Sequence, residues 1–239
     1  MLSSDNGLYG FQPASLTFTK IGTLDCPSAG ATPRSMAIDR SGTAWVNFTS
    51  GALFKVSTAD ASCQATPFQS GQSDFVKFGM GFSSNSAGAA EETLYVVGAS
   101  FGRRGKGLAT IDLSTFELTP IGDFSGPLAG IGAELTGTSD AKLYGFFETS
   151  PAALAEIEKA NASTPAPRPL DGLTTGTAWA FSAWGGDFWF YTSNGHGSSK
   201  VTRLKAATDD SLVTVVEDVG GFSIVGAGVS TCAPTAPPR

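Results

Sequence analysis

Leu8-Tyr9-Gly10-Phe11-Gln12-Pro13-Ala14-Ser15-Leu16-Thr17-Phe18-Thr19-Lys20-Ile21-Gly22 returns 100 residues later, without a gap, as Leu108-Ala109-Thr110-Ile111-Asp112-Leu113-Ser114-Thr115-Phe116-Glu117-Leu118-Thr119-Pro120-Ile121-Gly122. Leu8/Leu108, Thr19/Thr119, Ile21/Ile121 and Gly22/Gly122 are identical, and Phe11/Ile111, Leu16/Phe116 and Phe18/Leu118 match in type. Two short apolar runs separated by turn residues read as two strands of a hairpin. The same hairpin is therefore used at least twice.

Its first strand has three further copies, Leu53-Phe54-Lys55-Val56, Leu154-Ala155-Glu156-Ile157 and Val201-Thr202-Arg203-Leu204. Copies beginning at 8, 53, 108, 154 and 201 lie 45 to 55 residues apart, the period of a four-stranded propeller blade. A strand ahead of it recurs as Ala44-Trp45-Val46, Leu94-Tyr95-Val96, Leu143-Tyr144-Gly145 and Phe188-Trp189-Phe190, with the aromatic and β-branched content that a pleated, buried surface favours. Ahead of that lies a strand of small residues: Ser35–Ile38, Gly79–Phe82, Ala133–Thr136, Ala178–Phe181 and Gly226–Val229. Small residues suit the crowded axis of a ring, so this strand is A, innermost, and the others are B, C and outermost D.

The last A strand, Ser223 to Ser230, ends the repeat, whereas the chain starts with a stub, Met1 to Ser4, and an Asn6-Gly7 turn. Asn-Gly between strands signals a tight hairpin, so the stub can serve as strand B of the blade whose A strand is C-terminal. The expectation is an all-β, five-bladed β-propeller closed by pairing of the C-terminal strand with the N-terminal segment. Closure matters because it removes free sheet edges. Blades start near 34, 77, 131, 177 and 222 of a single domain spanning 1–239, with an irregular tail over 232–239. One segment, Pro151 to Ala160, reads as helix by propensity, with proline in its first turn; the repeat register makes it strand C instead.

Composition agrees. The 239 residues include 30 glycines and 13 prolines, with 10% aromatic and 15% charged residues, as in a turn-rich globule with an ample core. A net charge of −6 argues against a nucleic-acid partner; the basic cluster Arg103-Arg104-Gly105-Lys106 reads as turn decoration. No apolar run approaches a membrane span. The repeat is in progress by Leu8 without a visible signal peptide, which suggests an upstream segment. Low lysine, many Ser, Thr, Gly and Asn residues, and a Pro-rich tail lean towards a secreted, periplasmic or cell-surface monomer. Three cysteines, Cys26, Cys63 and Cys232, show no zinc spacing; a bridge between Cys63 and Cys232 is favoured, both being assigned to the lower face. The sequons at Asn47 and Asn161 matter only in a eukaryotic secretory pathway.

The stretch Ser35-Met36-Ala37-Ile38-Asp39-Arg40-Ser41-Gly42-Thr43-Ala44-Trp45-Val46 resembles the IAVD-x-x-G-x-hydrophobic-aromatic-V signature of NHL- and YVTN-type propellers, Asp39 to Gly42 forming the A–B turn. Other blades depart from it: Gly137-Thr138-Ser139-Asp140 and Trp184-Gly185-Gly186-Asp187 replace that turn. The whole chain resembles uncharacterised extracellular propeller proteins and lipoproteins of bacteria. This implies a fold and a surface or periplasmic setting, and no activity, since the superfold hosts binders, scaffolds and enzymes alike.

Function is sought on the face where the D–A and B–C loops emerge. Aligned A strands put Met36, Met80, Glu134, Trp179 and Ala227 in one column, with Arg34 nearby, and polar groups converging in an apolar cleft make a binding pocket. Glu134 stands out, because a carboxylate on an innermost strand needs a partner. The single histidine, His196, lies in a Gly/Ser loop without a G-x-S-x-G elbow. Expected ligand-binding residues are therefore Arg34, Met36, Met80, Glu134, Trp179 and His196, with no cofactor and no metal. The favoured function is a non-enzymatic binding module for an unknown protein or small ligand. A hydrolase or lyase using Glu134 or His196 as acid/base is the alternative. A lectin ranks third, because the loops offer only Phe75, Phe101 and Phe124 and no repeated Trp or Tyr.

Overall fold

The computed structural model describes residues 1–99, 105–194 and 197–237. The chain opens with β1 (Leu2–Ser3), β2 (Gly7–Gln12) and β3 (Thr17–Thr23). Blade 1 is β4 (Pro33–Ile38), β5 (Thr43–Phe48), β6 (Leu53–Ser57) and β7 (Cys63–Ala65). Blade 2 is β8 (Phe78–Ser84), β9 (Glu92–Gly98), β10 (Leu108–Ile111) and β11 (Leu118–Gly122). Blade 3 is β12 (Ala133–Gly137), β13 (Leu143–Phe147), β14 (Ala153–Glu156) and β15 (Arg168–Pro169). Blade 4 is β16 (Ala178–Trp184), β17 (Asp187–Ser193), β18 (Lys200–Leu204) and β19 (Leu212–Val216). Blade 5 is β20 (Ile224–Gly226) followed in space by β1, β2 and β3.

Each innermost strand packs on the next, β4 on β8, β8 on β12, β12 on β16, β16 on β20 and β20 on β4, which closes a ring of five. This is a five-bladed β-propeller, all-β among the described residues apart from two single 3-10 turns. The seam lies where the sequence places it: Leu2 pairs with Gly226 and Ser3 with Ile224. Asn6 takes a left-handed φ of 66° in the turn to β2, which asparagine tolerates better than most residues. The helix-prone segment at 153–156 is strand β14, with Glu156 opposite Tyr144 and Ala153 opposite Phe147; pairing with β13 and β15 within the blade overrides propensity there.

Small residues do crowd the axis. A Cβ on Gly79 would come within 2.0 Å of the Ala133 carbonyl oxygen, and one on Gly137 within 2.1 Å of that of Phe82. Only glycine lets β8 and β12 approach so closely. Apolar clusters then fill the gaps between blades, for example Phe78, Met80, Phe82 and Val96 between blades 1 and 2, and Leu2, Met36, Val46 and Val56 between blades 5 and 1.

The repeat extends to conformation. In all five C–D turns a non-glycine residue is left-handed: Leu16 (57°), Ala61 (64°), Phe116 (60°), Ala162 (61°) and Asp210 (60°). Backbone bonds such as Phe116 N–H to the Asp112 carbonyl (2.7 Å) and Ala61 N–H to that of Ser57 (2.9 Å) hold these turns. The repeated Gly22 and Gly122 face the next blade's turn, their Cβ positions lying 2.8 Å from Ala61 Cβ and 3.2 Å from the Asn161 carbonyl oxygen.

That contact corrects the cysteine expectation. The bridge joins Cys26 to Cys63, with a Cα–Cα distance of 5.0 Å, and Cys232 is a free, exposed thiol. The expectation treated outer strands as parallel to the axis and so placed Cys26 and Cys63 on opposite faces. Twist accumulates across four strands, which carries the end of β3 onto the turn between β6 and β7. Gly22 meets Ala61 there, and Cys26 reaches Cys63 a few residues on.

Candidate functional site at the upper mouth of the channel

The innermost strands run from the D–A side, here the upper face, down to the A–B turns. In blade 1 the A–B turn is tied by Asp39, whose carboxylate accepts from the Ser41 and Thr43 amides (2.9 and 3.0 Å) and from the Trp45 indole N–H (2.9 Å). The chain beyond β20 crosses the lower face. Thr231, 1% exposed, donates to Glu92 Oε2 (2.7 Å) and accepts from Arg40 Nη1 (3.1 Å). The Gly185 amide then donates to the Pro234 carbonyl (2.8 Å). These bonds tie the tail to blades 1, 2 and 4 below the ring.

At the upper face a cavity of about 160 Å³ is lined by Thr32, Pro33, Arg34, Thr49, Glu134, Thr177, Ala178, Trp179 and Val225. Blades 1, 3, 4 and 5 all contribute. Glu134 on β12 is only 3% exposed, yet its side chain spans the axis: Ser35 of blade 1 donates to its Oε2 at 2.5 Å, and the Met80 amide of blade 2 also donates to it. Burial pushes its carboxyl up to about 8, against the opposing pull of Ser35, the Arg34 charge and the Met80 amide. At neutral pH the group is therefore mostly protonated, and its O–H can donate. Arg34, half-buried, lies near both Glu134 and Glu148; burial lowers its pKa, against the opposite pull of these two acidic groups when they are ionised. Trp179, half-buried, stands edge-on to Phe146 at 5.8 Å between centroids. The site is thus a donor-rich hollow with one flat apolar wall.

The expected residues separate into groups. Arg34, Glu134 and Trp179 meet in this cavity. Met36 and Met80 are fully buried between blades, so Met80 serves Glu134 through its backbone, and neither thioether lines the cavity. His196 and the Arg103-Arg104 pair lie outside the described residues; Lys106 pairs with Asp74 at 2.8 Å. Ser35 and the threonines 32, 49 and 177 escaped sequence reasoning. A fully buried serine next to Met36 on an innermost strand was the available signal. Asp210 pairs with Arg168 (2.5 Å), and Glu92 accepts from the Arg40 backbone amide and from the Thr231 hydroxyl. Among the described residues no three His, Cys, Asp or Glu side chains cluster as a metal site. Asn47 is fully buried and bonded through both ends of its amide, to Ala52 and Phe78, which leaves no room for a glycan.

Fold and mouth together define a β-propeller with a small polar hollow on its axis. No family profile and no curated protein matches the chain. Among solved structures it is similar to Zg3597, a family 117 glycoside hydrolase of Zobellia galactanivorans, with a TM-score of 0.51 and 10% identity over 92% of this chain and 79% of the other. Similarity to virginiamycin B lyase from Staphylococcus aureus has a TM-score of 0.49 and 14% identity, over 96% and 73% of the two chains. Regucalcin from Agrobacterium tumefaciens, a calcium-binding protein, gives 0.46 and 15%, over 93% and 74%. At such identities the likeness is one of fold alone.

Proposed function

We propose that this chain is a non-enzymatic binding module whose upper mouth takes a hydrogen-bond-accepting group of a small ligand, or of a partner protein's side chain, against Trp179. The observation that carries this reading is Glu134: a carboxyl buried on the propeller axis, held protonated near neutral pH, beside a half-buried arginine and an indole. Protein interiors do not keep such groups together without a structural or binding role. The tail's bonds across the lower face favour approach from above. The setting proposed is outside the cytoplasm, in keeping with NHL/YVTN-like extracellular propellers. The Cys26–Cys63 bridge supports it, since disulfides persist in oxidising compartments. A single domain over 1–239 is part of the same proposal.

The same protonated carboxyl supports the second reading, a hydrolase or lyase with Glu134 as general acid. A lectin gains less, because Phe75 and Phe124 are buried rather than presented to sugar rings. Titrating acetate, acetamide and glucose into isotopically labelled protein separates these readings, with indole as an apolar control. The expected result is a cluster of shifts at Arg34, Thr177 and the Trp179 indole for the acceptor-bearing probes, abolished by Trp179→Ala. Glu134→Gln should change affinity by a modest factor; an acid role would instead cost roughly a hundredfold in any turnover found. Shifts confined to other surfaces would overturn the proposal.

A further inference from the structure

The upper end of blade 4 carries a second polar hollow, outside the mouth. Register builds a row across its sheet: Trp179 of β16 pairs with Thr192 of β17, and Thr192 with Lys200 of β18. Val201 pairs with Val216 of β19, so Glu217 comes one step further up, level with Lys200. Alternation of side chains along each strand then puts Thr192, Lys200 and Glu217 on one face of the sheet. The loops above them are fixed. The Ser199 amide donates to the Phe222 carbonyl (2.9 Å) and the Val219 amide to that of Ser199 (3.0 Å). Asp218 Oδ1 accepts from the Ser198 hydroxyl (2.5 Å) and from the Gly220 and Gly221 amides (2.7 and 3.0 Å).

The hollow has a volume of about 190 Å³ and is lined by Thr192, Ser193, Asn194, Ser198, Lys200 and Glu217. All six side chains are polar, and none of them lines the mouth cavity. Two of its features do nothing for the fold. Thr192 is 2% exposed, and its hydroxyl oxygen is buried without a hydrogen-bond partner, whereas Thr202, next on the same face, has the Thr214 hydroxyl at 3.4 Å. Buried polar groups are rarely left so, because losing water without a replacement bond is costly. Lys200 and Glu217 carry opposite charges level with each other on adjacent strands, where such residues ordinarily attract. Among the described residues neither side chain takes part in an ion pair.

We propose that this hollow binds a free α-amino acid with a small or polar side chain, its carboxylate between Lys200 and the Thr192 hydroxyl and its ammonium on Glu217. A lone carboxylate would gain Lys200 but meet the charge of Glu217, and a lone ammonium would meet the reverse. A neutral polar ligand would leave both charges uncompensated. A zwitterion whose charges lie a few bonds apart offsets both at once, and in a peptide those charges sit at opposite ends of the chain. The Thr192 O–H then donates to an anionic oxygen, the stronger kind of hydrogen bond. With no apolar wall, the hollow offers nothing to a large apolar side chain. It shares no lining residue with the upper mouth, so the proposal stands independently of what that mouth binds.

Glycine is the probe, titrated into isotopically labelled protein. So small a ligand is expected to bind with a Kd of about 1–10 mM and to shift the Thr192 methyl, the Asn194 side-chain amide and the Lys200 ε-methylene. Acetate and methylammonium should each bind about tenfold more weakly than glycine. Lys200→Gln and Glu217→Gln should each weaken glycine by about tenfold, since each removes a charged partner. Thr192→Val keeps the shape of the side chain and should weaken glycine about fivefold. Its thermal midpoint should be unchanged or raised, because the buried hydroxyl it removes has no partner in the free protein. The proposal is overturned if about 50 mM glycine, well above the expected Kd, moves none of these signals. It is equally overturned if acetate or methylammonium binds as well as glycine, if either charge variant binds glycine normally, or if Thr192→Val does.

Discussion

Removal of residues 222–239 unfolds the entire propeller cooperatively instead of shortening it. Those residues hold β20, whose Ile224 is fully buried among Trp189, Tyr191 and Val219 of blade 4. Ile224 also accepts the ring closure, with its amide on Ser199 Oγ (2.8 Å) and its strand paired with β1. Without β20 the ring loses contacts on both sides at once: β16 and β4 lose their shared neighbour, and β1 has only a one-pair register with β2. Burial of the lost core residues is worth about 1.5–3 kcal/mol each, which a domain of ordinary stability, about 5–15 kcal/mol, does not survive. Removing only residues 231–239 takes away the Thr231 and Pro234 ties and should lower the thermal midpoint by several degrees while leaving one cooperative transition. Circular dichroism and thermal melts of the two truncations check this. An unchanged midpoint after loss of 222–239 would mean the seam does not hold the ring.

Replacing Glu134 with Gln removes a pH dependence of stability of about 3–5 kcal/mol. The carboxyl titrates near 4.5 in the unfolded chain and near 8 in the folded one, and each unit of difference is worth about 1.4 kcal/mol. Between those values the unfolded state has released the proton that the folded state still holds. Folding stability from this group is therefore complete below about pH 4.5 and falls as pH rises through 8. Glu134→Gln stays neutral throughout, so urea denaturation of the two proteins should agree best near pH 4.5, with the variant more stable above pH 8. Ser35 can still donate to the amide oxygen, which limits the cost at low pH. Parallel pH profiles would show that Glu134 is solvated in the folded protein.

The ring was legible because a propeller writes its period into the sequence. Leu8–Gly22 over Leu108–Gly122 placed strands C and D, and the Asn6-Gly7 turn after a stub placed the seam. The C–D turns were not legible as a repeat: their left-handed residues are Leu, Ala, Phe, Ala and Asp, so a shared backbone conformation is carried by unlike side chains. The cysteine pairing failed for a three-dimensional reason, the twist that swings β3 onto the next blade. Glu134 could be singled out because charge on an innermost strand is costly; Trp179 followed from register, and Arg34 from its place near that column. Met36 and Met80 shared that register, but a methionine carries nothing that separates inter-blade packing from a cavity wall. Ser35, the residue that holds Glu134 across the axis, is too ordinary a side chain to draw attention from sequence alone.

A carbon-13 NMR titration follows the state of the Glu134 carboxyl at a single atom. The predicted midpoint is near pH 8 in the free protein, shifted by any acceptor-bearing probe that enters the cavity and unaffected by probes that bind elsewhere. A midpoint near 4.5, insensitive to every probe, would show an open and solvated carboxyl and contradict the assignment of the upper mouth as a binding site.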